Sequence, residues 1–110
     1  MPIFITQGRY THDAVKGMIA HPEDRAETVR QMFAKSGGKL LDYYMTFGES
    51  DFLVISEGPQ EAAAVSLIIA GASGGVTDLR TTLAMRSSEM KDVFAKAGPI
   101  AANFRAAGKG

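Results

Sequence analysis

The chain has no cysteine, so it can form no disulfide, no thiolate metal site and no cysteine nucleophile, which fits a reducing compartment. It also has no excess of either charge. Twelve Lys and Arg balance twelve Asp and Glu with no block of one sign, and the electrostatic footprint of a nucleic-acid or anionic-membrane binder is therefore missing. No stretch approaches the roughly 18 apolar residues of a membrane span. The start, Pro2-Ile3-Phe4-Ile5, lacks the basic segment and apolar core of a signal peptide. The expected location is cytoplasmic, with neither nucleic acid nor membrane as partner. Histidine is scarce: His12 and His21 have Asp13, Glu23 and Asp24 nearby, but their spacing across a helix break does not put both imidazoles on one helical face. No metal and no other cofactor are expected. There is no Gly-x-Ser-x-Gly elbow, so a hydrolase triad has no support. The glycines of Gly71-Ala72-Ser73-Gly74-Gly75 follow a helix and precede a strand, the reverse of a phosphate-binding loop.

What is present is enough apolar material for one core: 110 residues, 45% of them hydrophobic. Gly48-Glu49-Ser50-Asp51, set between Leu40–Phe47 and Phe52–Ile55, predicts a hairpin. Phe52-Leu53-Val54-Ile55 has no polar position, which implies that both faces of its sheet are covered. Ile3 to Arg9 reads as a first strand. Thr11 then caps a short helix, and Pro22, placed at a first helical position, restarts it with Glu23 and Asp24 in the first turn and an apolar stripe of Ala26, Val29, Met32 and Phe33. Gly37-Gly38 ends that helix. The second strand, Lys39 to Phe47, puts Leu41, Tyr43, Met45 and Phe47 on one face and Leu40 and Tyr44 on the other.

Gly58-Pro59 stops the third strand and opens a helix to about Ala70, apolar nearly all round and so expected to be buried on more than one side. Val76 to Arg86 alternates as a fourth strand, with Leu79, Thr81 and Leu83 against Val76, Asp78 and Arg80. Ser87 caps a last short helix with Met90, Val93, Phe94 and Ala97 on one stripe, and Gly98-Pro99 ends it. The methionines, Met18, Met32, Met45 and Met90 among them, read as core filler. Residues 1–97 form one expected domain and 98–110 a mobile tail.

This order, β-α-β-β-α-β plus a terminal helix, predicts an α+β, ferredoxin-like fold with a four-stranded antiparallel sheet. Its main helices cover one sheet face. Three or four large apolar side chains left wet on the other would lose roughly 5–12 kcal/mol of burial, comparable with the stability of a whole domain. Pairing of that open face with a second copy about a two-fold axis is the simplest cover, giving a homo-oligomer, dimer or higher.

Four stretches carry a family resemblance: Phe4 to Thr11, ending Gly8-Arg9-Tyr10-Thr11; Ser36 to Leu41; Gly48-Glu49-Ser50-Asp51-Phe52-Leu53-Val54-Ile55; and Gly75 to Ala84, ending Leu79-Arg80-Thr81-Thr82-Leu83-Ala84. Over most of residues 3–97 the chain resembles the GYD domain family, typified by a Gly-x-Tyr-Asp element after the second strand. Ser50 stands where that element has tyrosine, so no role of that ring passes to this chain. The resemblance implies a ferredoxin-like, dimeric α+β barrel and brings no activity with it.

Candidate ligand-binding residues are Tyr10, His12, Tyr44 and Arg80. Gly48 reads as a backbone-conformation residue and Asp51 as a turn residue that bonds nearby N–H groups. Of Tyr43 and Tyr44, on opposite faces, one can line a cavity and the other meets the partner. Arg80 is a candidate for an anionic ligand, with an ion pair to Asp42 or Asp78 the favoured reading. Two functional readings follow. One is an oligomeric α+β module that binds a small molecule or a protein without catalysis, its last helix being one candidate contact. The other, by fold analogy, is a small-molecule oxygenase or isomerase with its pocket between sheet and helices. A cavity of about 300 Å³ or more lined by several of the four residues favours a ligand or substrate; a filled interior favours the module.

Overall fold

Strand β1 (Ile3–Tyr10) runs into a turn where the Thr11 side chain accepts a hydrogen bond from the N–H of Ala14, starting helix α1 (His12–Ala20). These assignments come from a computed structural model of the chain, which describes residues 1–109. Gly110, the last residue of the expected tail, lies outside the described residues. The restart at Pro22 is corrected: residues 21–24 are not helical, and α2 (Arg25–Ser36) begins at Asp24, whose carboxylate accepts from the Ala26 N–H at 2.9 Å. A carboxylate acceptor for an orphan N–H is a stronger start signal than the fixed φ of proline. Gly37, at φ 96°, closes the helix in the left-handed conformation.

Strands β2 (Lys39–Met45) and β3 (Phe52–Glu57) form the hairpin, α3 (Gln60–Ala72) crosses back, and β4 (Val76–Ala84) completes the sheet before α4 (Ser87–Ala101). The strand order is β2-β3-β1-β4 with every neighbouring pair antiparallel. Four antiparallel strands with four helices make an α+β structure consistent with the ferredoxin-like arrangement. Residues opposite one another in an antiparallel ladder share a face. The register therefore places Thr6, Gly8, Phe52, Val54 and Ser56 under the helices and Ile5, Gln7, Leu53 and Ile55 on the other side.

Two irregularities shift the faces expected from alternation. In β2, Leu40 lies opposite Ser56 while Asp42 already lies opposite Ile55, so Leu41 is an extra residue and Leu40 shares the helix face with Tyr43 and Met45. In β4, two residues, Asp78 and Leu79, fill the register step opposite Gly8, and Asp78 takes φ 54°, which Asp tolerates better than most residues. Val76 and Leu79 thus both join the core. That core is Phe33, Leu40, Phe52 and Val54, with Val29, Met32, Tyr43 and Leu79 packed on it. Gly8 lets the Phe52 ring lie against the first strand, since a Cβ there would sit 2.8 Å from Phe52 Cζ.

Three further expectations are corrected. Helix α3 buries only Ala62 and Ser66, leaving Ile68 71% exposed, because nothing among the described residues packs on its outer side. Ser87 caps nothing; the helix begins after Arg86 with no side-chain cap, and the Arg86 guanidinium reaches Glu57 at 3.5 Å. Nor does Gly98-Pro99 end α4, which continues to Ala101. Pro99 forfeits one hydrogen bond, yet the Ala102 N–H closes the last turn on the Gly98 carbonyl at 3.1 Å. Helix α4 has no buried residue, and no strand or helix packs extensively on it. The chain measures 62 × 30 × 22 Å with a radius of gyration of 18.2 Å, against about 13 Å for a compact chain of this length. Among the described residues no helix is long and apolar enough to cross a membrane.

Candidate functional site

Between the helix side of the sheet and helices α2 and α3 lies a chamber of about 260 Å³. Small residues on α3, Ala63, Ser66 and Ala70, leave the space that larger ones would fill, and Val29 and Met32 from α2 with Phe52 and Val54 from β3 supply apolar walls. Tyr10, at the end of β1, and Tyr43, brought to this face by the Leu41 bulge, join through their hydroxyls, and the Tyr10 hydroxyl also lies 3.2 Å from Met45 Sδ. The Tyr10 ring leans on Phe52 with 5.1 Å between centroids. Burial pushes the Tyr10 phenol well above the ordinary tyrosine range, and the bond to Tyr43 pushes the same way, so it stays protonated at neutral pH. A phenol so held can donate a hydrogen bond. The Ser66 hydroxyl is buried and has no hydrogen-bond partner among the described residues.

A second cavity of about 310 Å³ adjoins the first, sharing Tyr10, Arg25, Ser73 and Val76 and adding Met18, His21 and Glu23. Arg25 stands at the boundary, paired with Glu23 at 2.9 Å. The second cavity is the more polar of the two and the first the more apolar. Among the described residues no group of three or more His, Asp or Glu side chains is placed to hold a metal ion.

The four candidate residues do not converge. Tyr10 lines both cavities. His12 is exposed in the first turn of α1. Tyr44 lies opposite Leu53 and Arg80 opposite Gln7, which puts both on the open face, away from the chamber. Of the tyrosine pair, it is Tyr43 that reaches the cavity. Arg80 makes no ion pair with Asp42 or Asp78; its guanidinium reaches the buried Ser50 hydroxyl at 3.4 Å. Asp51 does bond a backbone N–H, but that of Tyr10 on β1, at 3.0 Å, rather than one inside its own turn. The loop itself is closed by Thr46, whose hydroxyl donates to the Ser50 carbonyl at 2.7 Å. Gly48 supplies no left-handed conformation, because a loop this long turns without one. Ser66 and Arg25 were not singled out from the sequence, and Tyr43 only as one of two alternatives with Tyr44. A buried serine on an otherwise apolar helix was the one available signal, and it marks Ser66 alone.

No curated protein matches the chain. Among solved structures, a transcriptional regulator from Neisseria meningitidis in complex with L-Met is similar over 78% of this chain and 51% of its own, at 16% identity and TM-score 0.48. The chain thus spans about half of that regulator's length. A Thermus thermophilus protein is similar over 79% of this chain and 96% of its own, at 16% identity and TM-score 0.44. Likenesses this distant carry no argument about activity. The sequence itself is decisive: the GYD domain model matches residues 4–94, nearly the whole sheet-and-helix body described above, and the chain belongs to the GYD domain family.

Proposed function

We propose that the protein is a homo-oligomeric module that holds a small molecule in the chamber between its sheet and helices, without catalysing a reaction. The chamber carries this reading: at about 260 Å³ it is a little smaller than expected and takes Tyr10 alone of the four candidates, but it is lined mostly by hydrocarbon with a few hydroxyls at fixed points, the usual make-up of a ligand site. Catalysis by an oxygenase or isomerase has less support, since His12, Tyr44 and Arg80 lie outside the chamber. Pairing in the manner of a dimeric α+β barrel is supported by the open face, where Ile5, Leu53, Ile55 and Tyr44 form an apolar surface and no helix of the same chain lies packed over it. Native mass spectrometry of protein from its own host tests both parts. The expected species contains at least two chains and carries a small-molecule adduct released on denaturation; a single bare chain at micromolar concentration refutes the reading.

A further inference from the structure

Two hydroxyls carry two protons, and the bond between Tyr10 and Tyr43 uses one of them. With Tyr43 as donor, the other proton sits on Tyr10 and faces Met45 Sδ at 3.2 Å, a thioether and a weak acceptor. With Tyr10 as donor, the spare proton sits on Tyr43 and has no partner among the described residues. In either case it lacks a strong acceptor. Met45 lies outside the chamber lining, and both tyrosines line the chamber beside the unpartnered Ser66 hydroxyl and walls of Val54 and Leu67. Its one charged lining residue among those described, Arg25, is already matched by Glu23. We propose that the chamber binds a neutral, oxygen-bearing hydrocarbon about one substituted ring in size, its oxygen accepting the spare proton of the Tyr10–Tyr43 pair. This rests on the small-molecule reading above and names the ligand class for the same site.

Size and charge both follow from the surroundings. An apolar cavity of about 150 Å³ takes benzene, and pockets for drug-sized ligands begin near about 300 Å³. At about 260 Å³ the chamber falls between them. A carbonyl or alcohol oxygen is a better acceptor than a thioether, so exchanging Met45 for the ligand favours binding. A carboxylate would lose its hydration and find no free cation inside. The desolvation that keeps the Tyr10 phenol neutral acts against any anion placed beside it.

Backbone amide NMR titrations with acetophenone, ethylbenzene and benzoate test the assignment on the wild-type protein and on the double variant Tyr10→Phe, Tyr43→Phe. Either single variant would leave one free hydroxyl proton. Acetophenone is expected to bind about tenfold more tightly than ethylbenzene, the worth of one net hydrogen bond, with shifts at residues lining the chamber and no saturable response to benzoate. In the double variant the two neutral probes should bind alike, and retained ethylbenzene binding reports an intact chamber. Equal affinity for both neutral probes in the wild type, or preference for benzoate, overturns the ligand class while leaving a small-molecule site. Failure of all three probes up to their solubility limits overturns both.

Discussion

Replacing Asp51 by alanine should loosen the end of the sheet where Tyr10 enters the chamber. The β1–β3 ladder has its last register pair at Gly8 and Phe52, yet β1 continues for two more residues. Asp51 extends the ladder by itself: its N–H donates to the Gly8 carbonyl at 2.8 Å, and its carboxylate accepts from the Tyr10 N–H at 3.0 Å. The alanine variant keeps the first bond and loses the second, leaving a half-buried N–H without its acceptor. A hydrogen bond to a charged group is worth about 1.5–3 kcal/mol, and the partial exposure of Asp51 puts the expected loss near the lower end, about 1.5–2 kcal/mol. With a urea slope of about 1–3 kcal/mol/M for a small protein, the unfolding midpoint should fall by about 1 M, measured at matched protein concentration. Asp51→Asn retains an acceptor oxygen without the charge and should lose about half as much. An unchanged midpoint for the alanine variant, or an asparagine variant as unstable as alanine, refutes this account of the residue.

Leu53 and Val54 are adjacent but serve different surfaces. Leu53→Asp, on the open face, should leave the chain folded while separating the proposed oligomer, seen as a fall in mass by light scattering with an unchanged circular-dichroism spectrum. Val54, only 5% exposed in the core, should not tolerate aspartate, and Val54→Asp is expected to be unfolded at room temperature; a well-folded Val54→Asp protein would contradict the packing. Tyr10 makes stability sensitive to alkali. Its phenol is raised in the folded state, so its contribution is complete below the ordinary tyrosine range, near about 10, and is lost as pH climbs above it. Tyr10→Phe should flatten the fall in urea midpoint between about pH 10 and pH 11.5, and equal slopes in the two proteins would count against the burial argument.

Element types and order were legible because they rest on local signals: the Thr11 cap, the left-handed Gly37, the Pro59 boundary and the apolar run of β3. The split of β3 into Phe52 and Val54 inward and Leu53 and Ile55 outward also follows from simple alternation. The faces of β2 and β4 were not legible. A two-residue period cannot announce an extra residue, and the bulges at Leu41 and Asp78 exchange the neighbours of every residue on one side of them. This is why Tyr44 stood as a chamber candidate when Tyr43 is the residue there. Ser66 and Arg25 depend on how α3 and the start of α2 meet in space, which no spacing along the chain encodes. The run of α4 through Pro99 shows the same limit, since the last turn is held by bonds around the proline rather than through it.

The same two bulges lie in β2 and β4, the strands with an unpaired side. Lateral growth, strand upon strand into a fibre, needs a straight row of free amide and carbonyl groups. Here each such row is bent by an inserted residue, and Lys39, Asp42 and Asp78 place charge along it. The edges of the sheet thus resist sideways growth into amyloid-like ribbons, which leaves the broad uncovered face, rather than either rim, as the place for any neighbour to settle.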